Sequence, residues 1–314
     1  MTWLPAAPVA CVESASVRDS TGSDAPLMQS GELNVTGYIP VGYYRVEMLG
    51  SDGTLVDVAT LLFEPDGREY SHRVWGGSIA GRSVLAPAAD LMMEPGSYAP
   101  KGVDGASWVA RLLRECMPAP VSVAGSCCLS DHIVFDLGDS RLDAAWKVLE
   151  AIGYCMQISG DGTVTVREIP STPKASVNER SGLLLPSIGQ SLPIADVPNV
   201  MRVYDEGSEA IARNDDPSSP TSTVSRGRAI ECIEDSPIRR EGETLQQYAD
   251  RRLAELSDVC ETLDVEREWA DMSTYDIWHV NLPTAGLSGN YRIIDKATEC
   301  TTGIKVGETW GRMA

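Results

Sequence analysis

The sequence predicts a β-rich α+β fold in which two β-rich segments flank an α/β module of helix and β-hairpin. Three observations predict it. Short runs with a two-residue apolar period, punctuated by turn residues, fill the first hundred positions. A helix that stops at a glycine and leads directly into a tight hairpin occupies residues 141–169. A second series of alternating runs, interrupted by one helix, begins at Asn199.

In the first segment, residues 31–37 alternate as one strand. Residues 43–49 form another, turned at Gly50-Ser51-Asp52-Gly53. Residues 56–63 follow, closed by Pro65-Asp66-Gly67, and 72–79 make a fourth strand. Antiparallel strands without helices must close or stack to remove their unpaired edges, so a small barrel is expected here. Asp104 is placed to cap a helix, because a carboxylate there accepts from the free amides of the first turn. Trp108, Val109, Leu112, Leu113 and Cys116 form its apolar stripe, and Pro118 stops it. A strand containing His132-Ile133-Val134-Phe135 then leads to the turn Asp136-Leu137-Gly138-Asp139, where Asp139 or Ser140 caps the next helix.

That helix places Leu142, Ala145, Trp146, Leu149 and Ile152 on one stripe. Gly153 stands where a left-handed cap is wanted, since glycine has no Cβ to clash at positive φ. Tyr154, Met156 and Ile158 alternate into the turn Gly160-Asp161-Gly162, and Val164 and Val166 return. Residues 171–198 read as a proline- and serine-punctuated connector. Residues 199–204 open the second β-rich segment, and 214–223 form a polar loop. Thr244 and Gln247 make a capping box for a helix faced by Leu245, Tyr248, Ala249, Leu253 and Leu256. Strands follow at 262–269, 275–282, 290–298 and 304–310.

Composition bounds the function. The 314 residues are 43% hydrophobic and 23% charged, which predicts a packed core. The net charge of −19 is spread along the chain, about −7 over 1–100, −3 over 101–172 and −9 over 173–314. Such a surface repels phosphate backbones, which disfavours tight nucleic-acid binding and suits a conduit past which DNA slides. Eight irregularly spaced cysteines are too few for a disulfide scaffold and predict a reducing compartment. The first residues lack the basic start and apolar core of a signal peptide, and no run approaches the ~18 apolar residues of a membrane helix. Neither secretion by the general route nor membrane insertion is expected.

The order of phrases resembles a known family. A β segment leads through Tyr98-Ala99-Pro100-Lys101-Gly102 into a helix; a helix ending Gly-Tyr and a hairpin around Asp-Gly follow. Then come Asn199-Val200-x-x-Val203-Tyr204, a Leu/Ala/Arg-rich helix and the strand Gly289-Asn290-Tyr291-Arg292-Ile293. The set, over residues 30–312, resembles the hub-type minor tail proteins of bacteriophages, which include baseplate hubs of contractile tails and tail-associated proteins of siphophages. The resemblance implies two small β-barrels related by pseudo-symmetry. The first is a β-barrel domain with an N-terminal extension (1–100), followed by the α/β module (101–170) and the connector (171–198). The second is a β-barrel domain with an inserted helix (199–314). It implies a homotrimer ring presenting six similar barrels to a sixfold tail tube, with permanent contacts beyond ~2,000 Å² each.

The expected function is then structural: a virion protein at the tip of a siphophage tail, assembled in the host bacterial cytoplasm and acting in viral genome ejection. Expected partners are two further copies, the distal tail or tail-tube protein, the tape-measure protein and tip or receptor-binding proteins, with DNA passing unbound. Many relatives continue into a muralytic or spike domain; here the last predicted strand ends four residues before the last residue, and none is expected. Two alternatives stand beside this reading: a tail-associated cell-wall or polysaccharide hydrolase, and the hub of a phage-derived contractile injection machine.

The candidate catalytic motifs fall short of their patterns. Gly77-Ser78-Ile79-Ala80-Gly81 misses a nucleophile elbow by one residue and reads as a turn after a strand. His72, His132 and His279 all sit in alternating strand text. Cys127-Cys128 near His132 lacks the second pair a zinc site needs, and Asp215-Asp216 lacks the ligand spacing of a calcium loop. No glycine-rich phosphate loop occurs. The sequence assigns no catalytic residue, no cofactor and no metal, and predicts no enzyme.

Overall fold

The computed structural model describes residues 9, 11–21, 26–49, 53–64, 69–71, 74–182, 184–191, 197–205, 207–235, 237, 243–257, 261–301 and 303–313. The first segment supplies β1 (Val12–Ser20), β2 (Gln29–Val35), β3 (Gly42–Leu49), β4 (Leu55–Phe63), β5 (Glu69–Ser71) and β6 (Val74–Ser83). Next come α1 (Ala86–Asp90), β7 (Tyr98–Ala99), α2 (Gly105–Cys116), β8 (Val121–Ala124), β9 (Ile133–Val134), α3 (Arg141–Ile152), β10 (Tyr154–Ile158) and β11 (Val164–Glu168). β12 (Ala175–Asn178) and β13 (Leu184–Ser191) lie in the stretch read as a connector. Then follow β14 (Val200–Asp205), β15 (Ser208–Arg213), α4 (Thr223–Arg226), β16 (Glu231–Asp235) and α5 (Leu245–Ser257). The last strands are β17 (Thr262–Arg267), β18 (Ile277–Leu282), β19 (Leu287–Thr301) and β20 (Gly303–Arg312). The predicted β-rich α+β class holds.

Two compact units emerge. One comprises Met1–Ile188 with Asp264–Met313, the other Gly189–Leu263. In the first, strands from both β segments join in the order β17-β20-β19-β1-β2-β6-β4-β3, with β18 on β19 and β12 on β18. The seam is β1 against β19, antiparallel from Ala15↔Cys300 to Ser20↔Asp295. This corrects the expectation of two closed barrels. Among the described residues no sheet closes on itself, because β1 gives its outer edge to β19 instead of curling back to its own segment. The phrase 77–81 is corrected too: it lies within β6, paired to β2, rather than in a turn.

The α/β module forms as its local signals dictate. Asp104 caps α2, accepting from Ser107 N at 3.2 Å. Of the two expected caps for α3, Ser140 serves: its Oγ accepts from Asp143 N at 3.1 Å, while Asp143 accepts from Ser140 N at 2.9 Å. Gly153 ends α3 at φ 71°, sending its N–H back to Leu149 and Glu150 carbonyls. β10 and β11 pair as the predicted hairpin, and β8 adds parallel to β11. Trp108, Leu113, Leu149, Met156 and Val166 are buried in its core, with Trp108 stacked on Phe135 at 5.5 Å.

In the second unit β14 lies between β15, antiparallel, and β16, parallel. α5 begins with the predicted box, Thr244 N donating to Gln247 Oε1 at 2.9 Å and Gln247 N to Thr244 Oγ1 at 3.2 Å. Its Tyr248, Ala249 and Leu253 cover Met201, Val203, Ala210 and Ala212 on one sheet face. Asn199 is fully buried: its side-chain amide donates to the Thr221 and Arg228 carbonyls and accepts from Ile230 N at 2.7 Å.

Candidate functional site

The residues weighed for chemistry are scattered. His72 lies outside the described residues. His132 is exposed, accepts from Lys101 N at 3.2 Å and meets the edge of Tyr98. His279 is exposed and pairs with Asn290 Oδ1 at 2.9 Å. Asp216 accepts from Ser218 N and Oγ in a local turn, and Asp215 accepts from Thr223 Oγ1. Among the described residues no three His, Cys, Asp or Glu side chains cluster as metal ligands. Burial pushes the Cys155 and Cys300 thiols up to about 11, so both stay protonated at neutral pH.

What the fold does bring together is a junction. Both β segments anchor on the α/β module through a bulky residue forced into left-handed backbone just before a strand: Met28 at φ 60° and Tyr275 at φ 69°. Both side chains are buried in the module's core. Such a conformation costs an L-residue of order 1–3 kcal/mol, which the surrounding packing must offset. Trp146 Nε1 donates to Pro26 O at 3.1 Å beside the first anchor, and Gln157 Nε2 to Thr274 O at 3.1 Å beside the second. The hairpin turn touches the first segment as well, Thr60 Oγ1 donating to Gly160 O at 2.8 Å. A Cβ on Gly160 would collide with the Asp57 carbonyl, so only glycine permits that approach.

Buried charge reinforces the C-terminal strands. Arg267 and Glu308 form a doubly hydrogen-bonded pair with no side-chain exposure, Nε to Oε2 at 2.9 Å. Trp310 Nε1 donates to the same carboxylate at 2.7 Å, and Trp278 lies beneath the guanidinium and stacks on Trp310 at 5.7 Å. On the β1–β19 seam Asp19 faces Lys296. Desolvation lowers the Lys296 pKa and raises that of Asp19, each opposed by the other's charge. Sequence reading missed these residues, although a signal exists: Arg267 falls in phase with Leu263 and Val265, and Glu308 with Val306 and Trp310.

The large sheet also has an open end. β3 ends the large sheet, so one edge carries backbone groups without a strand partner among the described residues. Leu49 and Leu55, opposed at its hairpin end, are both exposed, as are Tyr38 and Val41 before it.

No protein-family model matches the sequence, nor does any curated protein. Solved structures do match. The tail protein from Neisseria meningitidis MC58 is similar with a TM-score of 0.70 and 14% identity, over 96% of this chain and 92% of that one. The 43 kDa tail protein of prophage MuSo2 from Shewanella oneidensis gives 0.63 and 12%, over 96% and 94%. The E. coli c3393 protein, described as a type VI secretion component structurally similar to bacteriophage T4 tail proteins gp27 and gp5, gives 0.57 and 9%, over 97% and 74%. Likenesses at such identities speak to the fold, and the fold is that of phage-tail proteins.

Proposed function

We propose that the chain is a structural protein of a phage tail, the hub at its distal end, and that three copies close into a ring between the tail tube and the tip or receptor-binding proteins. The observation that carries this reading is a fold shared from end to end with a tail protein, at a TM-score of 0.70 over 96% of the chain. The paired anchors are in line with the symmetry: Met28 and Tyr275 each dock one β segment on the α/β core, and if the two segments act as comparable halves, three copies offer six. The open edge of β3 supports self-assembly, since backbone hydrogen bonds across an edge do not depend on net charge. The charge of −19 per copy suits a bore past which DNA moves without binding. The likeness to a type VI secretion component favours one further reading, a hub in a phage-derived injection machine.

Native mass spectrometry of the full chain tests the ring: a species of three times 33.8 kDa is expected, with hollow threefold particles in electron micrographs. A monomer persisting at high protein concentration overturns it. Release of soluble fragments from purified peptidoglycan overturns the structural reading in favour of a hydrolase.

A further inference from the structure

Residues 91–105 and 127–141 run antiparallel as one long ribbon. Its rungs start with Arg141 N to Leu91 O at 2.7 Å and Met93 N to Asp139 O at 2.8 Å. They continue through the opposed pairs Tyr98↔Val134 and Ala99↔Ile133 and end with Gly105 N to Cys127 O at 2.8 Å. One face of the ribbon packs inward through Ala99 and Phe135, both buried. The other face is open to solvent. Tyr98 and Val134 stand side by side on it, and Leu91, Met92 and Leu137 are exposed along the same two segments. Val134 is 69% and Leu137 89% exposed, although each is large and aliphatic. Exposed apolar side chains gathered along one ribbon mark an interaction site. The Tyr-x-Pro-x-Gly phrase lies here, and the proposed ring does not account for its outward tyrosine.

Charge says what kind of partner fits. Residues 86–105 and 127–141 contain six carboxylates, Asp90, Glu94, Asp104, Asp131, Asp136 and Asp139, against two basic residues, Lys101 and Arg141. Arg82 neutralises Asp90 at 2.9 Å, and Lys147 holds Asp136 and Asp139 at 2.8 and 2.6 Å. Glu94 and Asp131 have no basic partner among the described residues and are exposed. The Tyr98 ring, braced edge-on by His132 at 5.7 Å, offers a π face to a cation.

We propose that this ribbon docks a segment of a different protein in which apolar side chains are flanked by Lys or Arg. A second copy meeting this face through its own ribbon would set a second Glu94 and Asp131 against the same unpaired carboxylates. A phosphate backbone or an anionic lipid surface is repelled for the same reason. The inference goes beyond the hub reading and stands or falls separately from it.

The test titrates the full-length chain into two short fluorescein-labelled peptides with identical Leu and Val positions, the residues between them Lys in one and Glu in the other. Anisotropy is expected to show the Lys peptide bound about tenfold more tightly, a gap that narrows as salt approaches about 0.5 M. The double variant Val134→Ser/Leu137→Ser is expected to lose about tenfold in affinity with its thermal midpoint unchanged. Glu94→Lys/Asp131→Lys, confined to exposed positions, is expected to reverse the preference to the Glu peptide and keeps the test decisive should the first variant misfold. Equal binding of both peptides, no binding, or affinities that neither variant moves overturns the proposal. So does self-association that Val134→Ser/Leu137→Ser abolishes, because the occupant is then a second copy.

Discussion

Arg267 and Glu308 show how one pair of residues sets the character of the C-terminal strands. Each charge is withdrawn from water, and neither is tolerable there without the other. Glu308→Gln leaves the guanidinium without its counter-charge and is expected to cost about 3–5 kcal/mol in urea unfolding. The near-UV signal of the stacked Trp278 and Trp310 should weaken with it. Replacing both partners by apolar residues, Arg267→Met with Glu308→Leu, should recover most of that loss, because no lone charge remains. Asp104 makes the opposite case at the surface. Its carboxylate accepts from Ser107 and from the Cys127 and Ser126 donors, and the Ser107 hydrogen bond is the largest influence holding its pKa below the usual range. A depressed carboxylate stabilises the fold above its unfolded-state pKa, and the contribution disappears as pH falls through the folded value. Asp104→Ala should therefore cost about 1 kcal/mol at neutral pH, with the gap to wild type closing in strongly acidic buffer; chemical denaturation across a pH series reads both.

At the scale of elements, the stop of α3 is the most exposed to a single change. Gly153 at φ 71° is followed immediately by β10, so the reversal from helix to strand happens at one residue. Gly153→Ala should lower stability by about 1 kcal/mol, read as a reduced denaturation midpoint with an unchanged slope. The same element explains what was legible in the sequence. α2, α3, α5 and the β10–β11 hairpin are set by periodicity, caps and turns within a dozen residues, and each formed where those signals stood. β12 was not legible, since it exists through parallel pairing with β18, about a hundred positions away. Nor was the β1–β19 seam, where closure into separate barrels satisfied the local pattern equally well. Lys296 was hidden by a bulge between Ile293 and Asp295, which shifts the inward face of β19 by one position. The docking ribbon was half legible: its phrase stood out, but which of Tyr98 and Ala99 faces outward is decided by the pairing with β9.

The whole molecule is one unit built from the two ends of the chain and a second unit inserted between them. The insertion leaves and re-enters at neighbouring points: Gln190 Nε2 donates to Glu261 Oε1 at 2.7 Å, and Thr262 Oγ1 donates to Ser191 O at 3.4 Å. A segment whose ends meet can be excised at small entropic cost, because closing the gap needs only a short loop. Its own core, α5 on β14 and β15, is also separate from that of the α/β module. Replacing residues 192–260 by a short Gly/Ser turn should therefore leave the first unit folded, with its cooperative unfolding transition and its Trp278–Trp310 near-UV signal retained. Removing β1 should do the reverse. That strand lies between β19 and β2, and its loss would open the sheet in the middle and strip both flanking strands of their ladder bonds. A chain lacking residues 1–20 is expected to aggregate or unfold without a cooperative transition. If it instead folded normally while the excision variant collapsed, the second unit would be the scaffold and the seam an ornament.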